Sequence, residues 1–416
     1  MALFLGGALA AIVFVNLVPA RRGLDAPFAQ VHGAADPGFA HVMEQLLAPA
    51  IREGNRIETL VNGDRIFPAM LGAIQEAERS IHLETYIYWD GESAGRFAEA
   101  LAERARAGVE VRVLLDWFGS TPTDRDHLRV MRDAGADLLR FRRPRWHSID
   151  RLNSRTHRKL LVVDGRIAFT GGVGIGDKWQ GDARNPEEWR ETQYRVEGPV
   201  VSQMQAAFLE NWMEAAGGLP HPGHLFPPLD RAGEIRAQVA AASPLGGPAQ
   251  MHMAFLLGLA AAERRIRIGT PYFVPDEVSI AQLIEARERG VEVTVLLPGE
   301  HINKGFVRRA SRHFWGRMLE AGIRIHEYQP TMYHPKLLVV DEAWATIGSA
   351  NFDERSFRLN DEMNLMVFDA GFAREQAAIF DADIARSREV TLEEWRARPW
   401  RMRTGDRIWA LLRPQL

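Results

Sequence analysis

The sequence predicts an α/β protein built from two copies of one unit, and three observations carry that prediction. Helix-like and strand-like apolar periods alternate through most of the chain, which implies sheets covered by helices. Segments of the first half return in the same order in the second. Both halves contain one signature: His157-Arg-Lys159-Leu-Leu-Val-Val-Asp164 with Gly171-Gly172-Val-Gly174, and His334-Pro-Lys336-Leu-Leu-Val-Val-Asp341 with Gly348-Ser349-Ala-Asn351.

Bulk properties narrow the classes. With 416 residues, 46% hydrophobic and 25% charged, the chain is globular and long enough for a sizeable core. A net charge of −3 argues against a dedicated non-specific DNA binder. The absence of cysteine excludes disulfides, thiolate catalysis and Cys-based zinc sites, while leaving the compartment open.

Residues 2–20 carry no charge, and as a helix they would span roughly 28 Å, close to a bilayer core. Arg21 and Arg22 follow, and no basic residue precedes the run. Residues 1–22 are therefore expected to be a single uncleaved anchor, and the positive-inside rule puts the body in the cytoplasm. A cleaved signal or a buried or interfacial helix are the alternatives. Residues 23–55 form a connector with an amphipathic helix from Phe39 to Arg52.

The first repeated unit covers 56–214 and the second 236–390. IFPAMLGAIQEAERSIHLETYIY at 66–88 parallels MHMAFLLGLAAAERRIRIGTPYF at 251–273. FAEALAERARAGVEVRVLLD at 97–116 parallels IAQLIEARERGVEVTVLLP at 280–298, with Gly108 and Gly290 at helix C-cap positions. MRDAGADLLRF at 131–141 parallels MLEAGIRIHEY at 318–328. A Gly/Pro/His-rich linker at 215–235 separates the halves, and a strand from Ile235 to Ala242 opens the second. The tail, 391–416, sets Trp395, Trp400 and Trp409 among six arginines. It suits either a membrane interface or a terminal helix packed back on the body.

The signature has a chemical logic. His and Lys at i and i+2 of a strand start share one face. Imidazole serves as nucleophile, acid or base near neutral pH. Two imidazoles on opposite sides of a phosphorus can split one displacement into two: one attacks, the other protonates the leaving oxygen and then deprotonates the incoming one. Lys159 and Lys336 supply charge for the non-bridging oxygens. No cofactor is required, and no residue set with metal-ligand spacing stands out. The small residues after each Asp, Gly172 and Ser349 among them, let backbone N–H groups approach a phosphate.

These motifs resemble the phospholipase D superfamily with two HKD motifs, and within it the bacterial cardiolipin synthases. The likeness runs from about residue 56 to the C-terminus. It includes Asn153-x-Arg155-x-His157, Trp189-Arg-Glu191-Thr, Thr270-Pro-Tyr-Phe-Val-Pro275, Gly348 to Ser356, and Asn360-Asp-Glu362. The resemblance implies a pseudo-twofold bilobed fold of two duplicated mixed β-sheets flanked by helices, with the active site at the seam. It makes His157 the nucleophile and His334 the general acid/base. Asp164 and Asp341 look structural, holding strands and loops across the seam. Glu191 and Glu362 each accept a hydrogen bond from a catalytic imidazole. Asn351 supports the second motif, where the first has Gly174. Asn153, Arg155 and Glu84 are candidate substrate contacts; with Gly269 in its repeat position, Glu84 is expected to be structural or substrate-orienting rather than part of a symmetric catalytic set.

Arg140, Arg142, Arg143, Arg145, Arg151, Arg155, Arg158 and Lys159, with Trp146, read first as a rim attracting anionic headgroups, with a plain solvated loop or a nucleic-acid contact as the alternatives. Lys304, Arg308, Arg309 and Arg312, with Phe314 and Trp315, read either as the rim's matching wall or as a surface helix. His147, His301 and His313 read as ordinary surface, and the GGVGIG stretch lacks the context of a dinucleotide loop. The expected activity is phosphatidyl transfer through a phosphohistidine: cardiolipin from two phosphatidylglycerols with release of glycerol. Phospholipase D hydrolysis and phosphatidylserine synthesis are the alternatives within the same chemistry, with an HKD nuclease or non-catalytic scaffold further away. The implied partners are anionic phosphatidylglycerol and the inner (cytoplasmic) membrane surface, reached by the anchor or peripherally. Nucleic acid is not expected, and the chain should function as a monomer.

Overall fold

A computed structural model describes residues 24–144, 153–220, 225–244 and 250–416. The expected anchor lies outside the described residues, as do Arg145, Trp146, His147 and Arg151 of the arginine-rich stretch. Among the described residues no helix is long and apolar enough to cross a membrane.

After α1 (Pro37–Leu46), the first half runs β1 (Arg52–Val61), α2 (Gly63–Gln75), β2 (Ser80–Thr85), α3 (Glu92–Arg106), β3 (Glu110–Asp116), α4 (Arg125–Asp133) and β4 (Asp137–Phe141). It continues with β5 (Arg155–Thr156), β6 (Lys159–Val163), β7 (Ile167–Gly171), β8 (Thr192–Glu197) and α5 (Val201–Ala216). The second half runs β9 (Ile235–Ala242), α6 (Gln250–Ala260), β10 (Arg265–Gly269), β11 (Phe273–Val274), α7 (Glu277–Glu288), β12 (Glu292–Pro298), α8 (Gly305–Glu320) and β13 (Arg324–Tyr328). Then follow β14 (Leu337–Val340), β15 (Trp344–Gly348), β16 (Phe352–Asp353), α9 (Glu354–Arg358), β17 (Asn360–Val367), α10 (Ala370–Ile384), β18 (Ser387–Val390), α11 (Leu392–Arg396) and α12 (Trp400–Ala410).

The helix expected from Phe39 to Arg52 stops at Leu46. Leu47 is already extended, and Pro49 cannot continue the ladder of hydrogen bonds. Arg52 instead opens β1, so the boundary expected at residue 56 falls inside a strand.

The two sheets of the duplicated scaffold are hydrogen-bonded edge to edge. Strand order is β18-β13-β12-β10-β14-β15-β17-β9-β1-β8-β7-β6-β2-β3-β4. The pseudo-twofold runs between β9 and β1, which pair antiparallel. Each half repeats the same order outward from that line, with β18 as an extra edge strand.

Alternation along the strands separates the cores. Leu160 and Val162 enter one apolar cluster while Leu161 and Val163 enter another, as opposite faces of a strand require. Leu337 and Val339 likewise part from Leu338 and Val340. The shared cluster joins Phe208 and Trp212 of α5 to Phe372 and Phe380 of α10, so both halves are sealed by one core. A four-residue run buried on both faces explains why Leu-Leu-Val-Val shows no polar alternation.

Candidate functional site

Each His-x-Lys pair stands where a strand begins. Lys159 opens β6, and Lys336 immediately precedes β14. The two starts meet across the seam through short backbone pairings. β5 pairs parallel with β17, and the His157 N–H donates to the Asp361 carbonyl at 2.8 Å. In mirror fashion Arg190 bridges to Tyr333, and the His334 N–H donates to the Arg190 carbonyl at 2.9 Å.

The side chains cross the same seam. His157 Nδ1 lies 2.9 Å and 3.1 Å from the two carboxylate oxygens of Glu362, and His334 Nδ1 lies 2.5 Å from Glu191 Oε2. Each half thus supplies the carboxylate that orients the other half's histidine. A carboxylate on Nδ1 assigns the proton there and leaves Nε2 with its lone pair. Both lysines are anchored identically, each Nζ donating to the carbonyl of the histidine two residues earlier at 2.6 Å.

Burial sets the protonation. The His157 imidazole is held well below its ordinary value by burial, and then by the charges of Lys159, Lys336, Lys304 and Arg355. Burial and Lys336 bring His334 down to about 3, against the opposing pull of Glu191. Burial lowers Lys159 to about 7 and Lys336 to about 8. Burial raises the Glu362 carboxyl, whereas Glu191 is held below its usual range because His334 and Lys336 outweigh its burial.

The residues around the carboxylates differ between halves. Ser349 Oγ donates to Glu362 Oε2 at 2.6 Å, and Asn360 Nδ2 reaches Oε1 at 3.2 Å. At the repeat position of Ser349 stands Gly172, where a Cβ would come within 2.5 Å of Glu191 Oε2. Glu191 is held instead by the Trp179 indole N–H at 3.3 Å and the Thr192 N–H at 3.0 Å. Gly174 is explained by the same tryptophan: a Cβ there would meet the Trp179 ring at 2.8 Å. Its counterpart Asn351 is buried with its Oδ1 unpartnered among the described residues.

Asp164 and Asp341 sit at the far ends of their strands, about 16 Å from the lysines at roughly 3.3 Å per residue. Each carboxylate accepts three backbone N–H groups. Asp164 takes those of Glu78, Arg79 and Ser80 at 2.9, 2.7 and 2.8 Å, and Asp341 those of Glu263, Arg264 and Arg265 at 2.7, 2.8 and 2.7 Å. Both have φ near +54°, a region Asp tolerates. They fasten strands within their own halves, which corrects the expectation that they act across the seam.

Of the two roles expected for Glu84, structural or substrate-orienting, its surroundings fit the structural one. Its carboxylate is wholly buried, accepts from Thr156 Oγ1 at 2.5 Å and Asn211 Nδ2 at 2.6 Å, and is pushed by burial up to about 7. It braces the interior behind His157, where a substrate cannot reach it. In the second half the same volume is shared differently, since a Cβ on Gly269 would meet the Tyr333 hydroxyl at 2.5 Å. Two members of the expected basic rim are interior too. Arg158 is fully buried and donates to the carbonyls of Ala207, Ala242 and Glu362 and to Glu210. Arg142 pairs with Glu214 and Asp361. Of the expected contacts, Arg155 lies over the Trp117 and Phe118 rings at 5.1 Å, and Asn153 bonds to Gln415 and Arg355.

Sequence reasoning passed over Trp179, Tyr86 and Arg355. Trp179 packs edge-on to His334 at 5.6 Å, and Tyr86 edge-on to His157 at 5.3 Å. Tyr86 lies two residues after Glu84, and Arg355 lies inside the quoted Gly348–Ser356 block, so both were within reach of the motifs. Asp90, Asp124 and His127 bring possible metal-ligand atoms within 4.8 Å of one another, but none belongs to either motif.

Comparison with known proteins agrees with this geometry. The family described as cardiolipin synthase, PLD-like domain, matches residues 70–212 and 257–384. Cardiolipin synthase A of Pseudomonas fluorescens is 35% identical over 87% of this chain and 75% of its own length. The major cardiolipin synthase of Bacillus subtilis is 33% identical over 88% and 76%. Phosphatidylserine synthase of Haemophilus influenzae shares the fold, with a TM-score of 0.71 over 91% of this chain and 100% of its own at 12% identity. By its family match, its relatives and its crossed pair of His-x-Lys motifs, the chain belongs to the phospholipase D-like cardiolipin synthase family.

Proposed function

We propose that this protein makes cardiolipin by transferring a phosphatidyl group from one phosphatidylglycerol to another, with glycerol released. The observation that carries the reading is the crossed arrangement of His157 with Glu362 and His334 with Glu191. It brings the two histidines, each held through Nδ1 by the other half's glutamate, to one seam together with both motif lysines.

In the first step His157 Nε2 attacks phosphorus and the bond to the glycerol oxygen breaks, that oxygen taking a proton from His334. In the second, the hydroxyl oxygen of the acceptor attacks phosphorus, the bond to His157 breaks, and His334 takes the hydroxyl proton. Lys159 and Lys336 balance the charge on the non-bridging oxygens. Burial is the main cause that holds His334 and both lysines toward their neutral forms. A bound phosphodiester stabilises their charged forms, so the substrate arms the acid that protonates its leaving group.

A bilayer-borne substrate suits the surface. α12 docks on α8 through Asp406, which pairs with Arg312 and Arg398. Its outward face leaves Trp400, Ile408 and Leu411 at 70%, 58% and 76% exposure, beside exposed Arg401, Arg403 and Arg407. This is the composition of an interfacial helix, so the tail both packs back and offers an apolar stripe. Arg125, Arg132, Arg140 and Arg143 line a cavity of about 450 Å³ beside Trp117, suited to anionic headgroups. In this reading residues 2–20 anchor the chain, the body faces the cytoplasm, and the two motifs of one chain suffice without a second copy.

The test is to incubate the purified protein with phosphatidylglycerol and resolve the products. Cardiolipin with equimolar glycerol is expected. Phosphatidic acid alone would make the protein a hydrolase, and no lipid turnover would sink the reading.

A further inference from the structure

The two motif lysines do not exhaust the cations at the site. Lys159 and Lys336 feel the charges of both Glu362 and Glu191. Lys304 and Arg355 also act electrostatically on the His157 imidazole. Asp353 acts on both from a distance, and Asp116 and Glu362 on Arg355, without a close ion pair to either cation among the described residues. Their surroundings hold them in place without neutralising them. The Arg355 guanidinium donates to the Asn153 side-chain oxygen at 3.1 Å, the Asn153 carbonyl at 2.7 Å and the Gln415 carbonyl at 3.1 Å. The Arg355 main-chain N–H donates to the Leu416 main-chain oxygen at 3.0 Å, so residues 415–416 form part of the clamp. Lys304 is exposed at the start of α8, its ammonium 5.1 Å above the Tyr272 ring, and Tyr272 donates its hydroxyl to Asn303 at 2.7 Å. The pairing of β11 with β16 brings the Tyr272 turn beside the strand that leads into Arg355. Asp353, the carboxylate both cations feel, is occupied in capping α9 through the Ser356 N–H at 2.7 Å.

Cations fixed by neutral oxygens and aromatic faces keep their capacity for an external anion. The proposed reaction needs such a place. Its two phosphates end up separated by one glycerol, so the acceptor's phosphate must lie immediately beside the reacting one. Water or a simple alcohol makes no such demand.

We infer that Lys304 and Arg355, the latter positioned by Asn153 and the C-terminal Gln415–Leu416, form a second anion subsite that binds the phosphate of the acceptor lipid. The assignment rests on the cardiolipin-forming reading and deepens it. It places the choice between acceptor lipid and water in residues outside both His-x-Lys motifs. The acceptor hydroxyl is held over phosphorus by its own phosphate, so its attack on the His157 adduct becomes effectively intramolecular.

The test sets two acceptors in competition. Full-length protein is supplied with phosphatidylglycerol in detergent micelles together with ethanol, and cardiolipin and phosphatidylethanol are quantified. In Lys304→Gln and Arg355→Gln the ratio of cardiolipin to phosphatidylethanol should fall about tenfold or more, the loss of one charge-assisted contact. Arg355→Lys, which keeps the charge but not the fork, should fall between. Lys304 is exposed, so its substitution reads the subsite even where an Arg355 variant disturbs the C-terminus. An unchanged ratio in Lys304→Gln, or both products falling in parallel, would overturn the subsite. A wild-type protein that makes phosphatidylethanol but never cardiolipin would remove the functional reading itself, and the subsite with it.

Discussion

The two histidines occupy equivalent places in a duplicated scaffold, yet their surroundings are not equivalent. His157 faces a carboxylate, Glu362, that shares its charge with Ser349 and Asn360 and that burial pushes up. His334 faces Glu191, which is held down, lies closer to its imidazole, and is walled by Trp179 and Trp189. A carboxylate that stays ionised in an apolar wall favours a histidine that must carry a proton. A softer carboxylate favours a histidine that must stay neutral and attack. The difference arises from small substitutions on a common frame: Gly172 against Ser349 and Gly174 against Asn351, with Glu191 filling the space beside Gly172 and Trp179 that beside Gly174.

The largest effect that separates the two should come from the histidines. His157→Ala should lower turnover by about 10⁴-fold or more, since covalent chemistry is lost outright. His334→Ala should cost about 10²–10⁴-fold and slow both formation and breakdown of the adduct. Steady-state rates with phosphatidylglycerol distinguish them, and equal losses with no adduct in either variant would erase the asymmetry.

Next come the carboxylates. Glu191→Gln and Glu362→Gln should each cost about 10–100-fold by releasing an oriented imidazole. Only Glu191→Gln should move the limb of the pH–rate profile governed by the acid, shifting it to lower pH, because the charge that supports the imidazolium is gone. A matching shift in Glu362→Gln would contradict the division of labour.

The strand-end aspartates test the common frame. Asp164→Asn or Asp341→Asn should destabilise the fold by about 1–3 kcal/mol in denaturant titrations, since each replaces a charged acceptor of three backbone N–H groups. Turnover per folded molecule should stay near wild type. A loss of turnover without a loss of stability would return these residues to the chemistry.

The smallest effect concerns Glu84, which has no acidic counterpart at Gly269. Its carboxyl is raised to about 7 in the folded chain, against an ordinary value near 4.5. The unfolded state therefore binds fewer protons between those values, and this group's contribution falls as pH rises from about 4.5 through 7. Glu84→Gln should raise Tm relative to wild type more at pH 8 than at pH 5. A pH-independent difference would mean the carboxylate is ionised in place.

Much of this was legible in the residues. The repeat, the apolar strand runs and both His-x-Lys pairs were readable because each follows a local period or a fixed offset, whereas the roles of the two glutamates came from the family resemblance. The joining of the two sheets was not. β1 reads Arg-Glu-Gly-Asn-Arg at its start, with no apolar alternation, because its partner β9 supplies the order. The burial of Arg158 was hidden as well. Its neighbours on both sides are charged or polar in sequence, and only the convergence of carbonyls from α5, β9 and β17 gives its guanidinium a reason to be inside. The crossed exchange of Glu191 and Glu362 is likewise tertiary. Offsets along the chain place each glutamate after its own motif, whereas the seam delivers it to the other.

The measurement that bears most directly on the whole account is the identity of the covalent adduct. Phosphatidylglycerol labelled in its phosphate is mixed with the His334→Ala protein, the reaction is quenched in alkali, and the labelled residue is identified by peptide mass analysis. The label should sit on His157 and be absent from the His157→Ala protein. A label on His334 in the wild type, or one that survives His157→Ala, would reverse the roles of the two halves.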